Sequence, residues 1–143
     1  MKKLLYSFLL LSSATLFAQK NTTTRFAVAN DIVGTVDMFN AYKDRIQGTK
    51  NYKAASLPQN LKKFSYLAEN GLVEYKLKSE KGILDRLPLS ELNAQYGLAK
   101  NTPVFIDGYE FTNTDTLVFG DLLGNLQVID NNGSKAVSVT TKK

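Results

Sequence analysis

The chain carries 13 carboxylate and 18 basic side chains but no histidine and no cysteine, which narrows its chemistry at once. Without imidazole or thiolate there is no Ser-His-Asp triad, no cysteine nucleophile and no His or Cys ligand for zinc. Paired carboxylates, lysine and a Ser–Lys dyad are what is left. Glu74, Asp107, Asp115 and Asp121 are the candidate acids of a small hydrolase or sugar-active enzyme. Glycoside hydrolysis needs two carboxyls about 5–10 Å apart across a cleft, and nothing in the spacing of these four pairs them. The reading is therefore non-enzymatic, with no catalytic residue assigned. A carboxylate-dependent hydrolase is the alternative, and a structural or inhibitory accessory protein is a third class.

The oxygen-rich turns invite a calcium reading. Asn113, Asp115 and Asp121 fall in one region, and Asp130, Asn131 and Asn132 in another. Neither set follows the alternating spacing closed by a Glu at the twelfth position that an EF-hand loop requires. Turn formation and helix capping account for them, so no metal and no cofactor are assigned. Asp107-Gly108 lacks the intervening hydroxyl residue of an aspartic-protease loop and occurs once. No phosphate-binding or dinucleotide fingerprint is present. The seven Tyr and eight Phe do not cluster in sequence. Tyr75, Tyr96, Phe64 and Phe105 fall on expected buried faces.

Met1 to Ala18 reads as a secretory signal peptide. Lys2 and Lys3 form a positive start, Leu4–Leu11 is apolar except for Ser7, and Ala18 is a small residue before a cut at Gln19. The apolar stretch is broken by Ser12, Ser13 and Thr15, short of the roughly 20 residues a membrane helix needs. No cysteine offers a site for a lipid anchor. Removing Lys2 and Lys3 leaves 16 basic against 13 acidic residues, a net charge of +3 rather than +5. That surplus is scattered, without an arginine cluster, so nucleic acid is not an expected partner. Export without cysteine means a domain stabilised by packing rather than disulfides.

Beyond the signal, residues 19–30 are expected to be a flexible N-terminal segment and 31–143 one domain. Ile32, Val36, Phe39, Tyr42 and Ile46 recur at helical spacing, predicting a helix over 31–47 with Asp31 as N-cap candidate, or Thr35 if Gly34 weakens the first turn. A loop follows over 48–55. Ser56 and Gln59 have capping-box spacing around Pro58, and Leu61, Phe64 and Leu67 or Ala68 form a buried stripe ended by Asn70-Gly71. Val73, Tyr75 and Leu77 alternate with Glu74, Lys76 and Lys78, predicting a strand with one wet face. A short helix over Pro88–Tyr96 closes at Gly97-Leu98. Val104–Ile106, a turn at Asp107-Gly108 and Tyr109–Phe111 read as a hairpin. A short helix capped by Thr114 or Asp115, a strand over Leu126–Asp130, a turn at 131–134 and a strand over Ala136–Thr141 complete the chain. The pattern is α+β, with helices packed on one face of a small, mainly antiparallel or mixed sheet.

The stretch from Thr102 to Lys143 resembles the plug domain of TonB-dependent outer-membrane receptors. TPVFIDGYEF, then LQVID, then AVSVTTKK stand where those plugs carry a strand ending in an Ile-Asp-Gly turn, a further strand, and a closing strand ending in Thr-Thr-Lys-Lys. Plugs insert a further helix and a Tyr-Gly segment between the last two strands, where this chain has only Asn131–Lys135. No barrel is expected after Lys143, and no TonB box is identifiable. The resemblance implies a hairpin, helix and strand arrangement in an envelope protein, not transport, and carries no functional residue across. The combined expectation is an exported protein of a bacterial envelope, in the periplasm, or alternatively outside the cell. It is expected to have no membrane span after signal cleavage and to bind an envelope protein or a small ligand. Val73, Tyr75 and Leu77 are the candidate contact, as an edge strand open to an added strand.

Overall fold

The computed structural model describes residues 20–143; the signal-peptide reading lies outside them. The described chain is α+β, built on two mixed sheets and a few short helices. The larger sheet is assembled from six strands: β1 (Phe26–Ala29), β2 (Ile32–Thr35), β3 (Ile46–Tyr52), β4 (Leu72–Leu77), β5 (Arg86–Pro88) and β8 (Leu117–Phe119). Their spatial order is β3-β4-β1-β2-β8-β5. The smaller sheet takes β6 (Val104–Ile106), β7 (Tyr109–Phe111), β9 (Leu123–Asn131) and β10 (Ser134–Thr141) in the order β7-β6-β10-β9. Where the sequence pattern suggested a single sheet, the chain divides its strands between two.

Three two-residue turns set this topology. Asn30 and Asp31 adopt φ of 52° and 64°, Asp107 and Gly108 adopt 50° and 82°, and Asn132 and Gly133 adopt 52° and 88°. All are in the left-handed region that Asn, Asp and Gly tolerate, and consecutive positive φ closes a tight hairpin. The first corrects the reading of residues 19–47. Phe26–Ala29 is a buried interior strand rather than part of a flexible segment, and Asn30-Asp31 turns it back into β2 with Ala29 opposite Ile32. Helix begins only at α1 (Val36–Phe39), capped by Thr35, whose Oγ1 accepts a hydrogen bond from Met38 N at 3.1 Å. A 3-10 stretch over Asn40–Arg45 follows, then β3 where a loop was expected. The helical spacing over 32–46 was produced by successive elements, β2, α1, the 3-10 stretch and β3, rather than by one helix.

The segment Gln59–Leu67 is 3-10 rather than α-helical. Leu61, Phe64 and Leu67 are buried, and their spacing of three stacks them on one face at three residues per turn. The capping box does not form: Pro58 precedes the helix without a side-chain cap, and the Ser56 hydroxyl instead donates to Lys53 O at 3.4 Å. Gly71, at φ 84°, ends the segment as the sequence implies. α2 (Leu89–Gln95) closes on Gly97 with Leu98 N donating to Asn93 O at 2.9 Å, the crossed pattern of a glycine-terminated helix. Tyr96, expected to be buried, stands beyond the last turn and is 41% exposed. Residues 114–123, read as a helix, instead form β8 and a single 3-10 turn over Gly120–Leu122.

Both sheets and the helices feed one main core. Aromatic rings dispersed in the sequence meet in it. Phe26 meets Tyr109 edge-on at 5.1 Å and Phe111 at 6.1 Å, joining the two sheets. Phe39 packs on Tyr75 at 4.5 Å and on Phe119 at 5.4 Å. Phe105, Ile129 and Ala136 form a satellite cluster. Among the described residues, no helix is long and apolar enough to cross a membrane.

Candidate functional site

The carboxylates singled out by type go to separate places. Asp107 is almost fully buried at the β6–β7 turn. Its Oδ1 accepts from Thr141 N at 2.9 Å, and its Oδ2 accepts from the hydroxyls of Thr141 at 2.6 Å and Thr24 at 2.7 Å. Its backbone carbonyl also accepts from Asn21 N at 2.8 Å. The side chain thus fastens the N-terminal strap and the last strand to the hairpin. Glu74 lies on β4 beside the Tyr52 hydroxyl at 3.4 Å. Asp115 and Asp121 line different grooves. No group of three or more His, Cys, Asp or Glu residues positioned to hold a metal ion occurs among the described residues.

Val73, Tyr75 and Leu77 do not lie on a sheet edge. β4 is paired on both sides, antiparallel to β3 and parallel to β1. The stretch read as a loop over 48–55 supplies most of the outer strand β3, which pairs with β4 from Leu72 to Leu77, while β1 pairs with it at Val73 and Glu74, so β4 is an interior strand. Val73 and Tyr75 face the core.

A groove of about 670 Å³ opens between the Asn30-Asp31 turn, the 3-10 segment over 59–67 and the loop from Glu110 to Leu117. Its volume falls in the range of small-ligand sites. Phe64, Tyr66 and Leu117 give apolar surface, and Asp31, Glu110, Asp115 and Asn113 supply acceptors around them. Lys63 is the one basic side chain lining it. It is paired to Asp31 at 3.0 Å and lies over the Phe64 ring at 5.4 Å. Both ionic partners are more than half exposed, so the pair contributes well under about 1 kcal/mol and opens readily to a ligand.

Tyr66 is held edge-on against Phe111 at 5.4 Å, which fixes the ring on the core while 40% of the residue stays exposed. Burial of the rest pushes its phenol up to about 12, against a smaller opposing effect of its hydrogen bond with Thr116. It is therefore a neutral hydroxyl at any physiological pH. A second groove of about 530 Å³ lies on the other side of the same turn, lined by Asn60, Glu74, Tyr75 and Lys50 among others. Asp31 lines both.

Of these residues, sequence reasoning noted Asp31 only as a helix cap, Asp115 as a turn or acid, and Lys63 and Tyr66 not at all. The readable signal was Asn30-Asp31 between two short apolar runs, which marks a hairpin. Compared with known proteins, the chain matches no family model, no curated protein and no solved structure.

Proposed function

We propose that this protein is a non-enzymatic binding module of a bacterial envelope, exported and working in the periplasm, and that it takes a small ligand in the groove beside the Asn30-Asp31 turn. The signal-like N-terminus and the plug-like tail support the envelope reading. The observation that carries the binding reading is the groove's pairing of a fixed, part-exposed Tyr66 with an acceptor-rich rim. Three carboxylates and an amide face one lysine that is already paired. Such a rim favours a ligand rich in hydroxyl or amine donors, and the Tyr66 ring covers the apolar face of the same ligand. Anionic ligands are disfavoured by the like charges.

Calorimetric titration of the purified protein with short saccharides and polyamines tests this. At least one donor-rich ligand is expected to bind. Asp31→Asn and Tyr66→Ala each weaken that binding by about tenfold or more, equivalent to ~1.4 kcal/mol. Tyr66→Phe, which keeps the ring packed on Phe111, isolates the hydroxyl. Binding indifferent to all three substitutions, or turnover of the ligand in place of binding, overturns the reading.

A further inference from the structure

The two sheets end in four outer strands, and three of these are guarded against pairing. β5 and β7 are three residues long, and β5 ends in Pro88. β3 is interrupted by a register shift between Ile46 and Gly48 and carries Lys50. Short length, proline, bulges and lysine are the usual means of keeping an edge from adding strands. β9 has none of these along most of its length. It runs nine residues from Leu123 to Asn131 with no proline, lysine or arginine, and its single charge is Asp130 near the end. The irregularity opposite Thr140 and Thr141 is confined to its start, leaving 125–131 in unbroken register with β10.

Val128 marks the middle of that regular run. It stands opposite Val137 of β10. Val137 is fully buried, whereas Val128 is 41% exposed, because no strand among the described residues pairs with the outer side of β9. Every second residue of an edge strand also directs its N–H and C=O outward, so backbone and side chain are open together.

We propose that β9 pairs antiparallel with β9 of a second copy about a two-fold axis at Val128, joining the two small sheets into one continuous sheet. The register is self-complementary. Val128 meets its symmetry mate, Gln127 faces Ile129, Leu126 faces Asp130 and Asn125 faces Asn131, so no like charges oppose one another. A near-neutral edge gives a foreign strand no electrostatic selection, while a symmetric copy supplies a matching apolar centre. A seven-residue edge is small against a standard interface, so association is expected at about 10–100 µM.

Sedimentation equilibrium over a range of concentrations tests the proposal, with thermal melts to check folding. The wild type is expected to dimerise. Val128→Lys and Val128→Glu, each placing like charges across the axis, weaken the dimer about tenfold or more, and an equimolar mixture of the two re-forms a dimer. Hydrogen exchange gives a reading without substitution: amides within 125–131 gain protection as concentration rises. A wild type that stays monomeric to millimolar concentration, a Val128→Lys variant that dimerises as before, or unchanged exchange in β9 overturns the proposal.

Discussion

At the residue scale, Asp107, one of the four acids that residue type alone would offer for catalysis, serves as a fastener. Asp107 satisfies one backbone N–H and two hydroxyls from opposite ends of the described chain. Asp107→Ala strips the buried donors of their acceptor and puts a Cβ without a polar partner at φ 50°. A loss of about 3 kcal/mol is expected in urea unfolding, with Asp107→Asn costing clearly less; equal losses would mean the charge matters more than the acceptor count. Tyr109 is a second fastener, donating to Glu69 Oε2 at 2.7 Å under the ammonium of Lys20. Burial first, then Glu69, pushes its phenol up to about 12. The folded state therefore holds this proton more tightly than the unfolded chain. Its stabilising contribution is full below about pH 10 and is lost as pH rises through about 12. Tyr109→Phe should flatten the fall of stability over that alkaline window, and an unchanged slope would assign the fall to Tyr66 instead.

At the element scale, the outcome turned on turn chemistry and on helix type. The hairpin at Asp107-Gly108, the strand pair closed by Asn132-Gly133 and the glycine stops at 71 and 97 were legible, because each rests on a local backbone preference. The helix expected over 31–47 was not, because Ile32, Val36, Phe39 and Ile46 point to one core from β2, α1 and β3, mimicking a single periodic face. The interior position of β4 was equally hidden, since its partners β1 and β3 were read as flexible segment and loop. The groove was unreadable for the same reason: its walls come from residues near 31, 63 and 113, which only the pairing of distant strands brings together. Two substitutions check the observed elements. Thr35→Ala removes the α1 cap and costs about 1 kcal/mol. Gly124→Ala places a Cβ 2.5 Å from Thr140 O, a clash with backbone that should loosen the β9–β10 ladder, seen as faster amide exchange along β10. Unchanged exchange would mean that the start of β9 yields without cost.

At the scale of the whole molecule, two sheets lock through Phe26, Tyr109 and Phe111, and Tyr66 extends that ring cluster outward into the groove. The proposed binding groove is thus mounted on the ring cluster that joins the sheets, with the exposed Asp31–Lys63 pair at its rim. This arrangement suits a site that stays in place while its polar rim adjusts to a ligand. The most direct measurement is an amide NMR titration of the purified protein with the tightest donor-rich ligand found by calorimetry. The account predicts saturable shifts confined to residues 30–31, 63–66 and 110–117, absent in Tyr66→Ala. Shifts centred elsewhere, or none at saturating ligand, would contradict it.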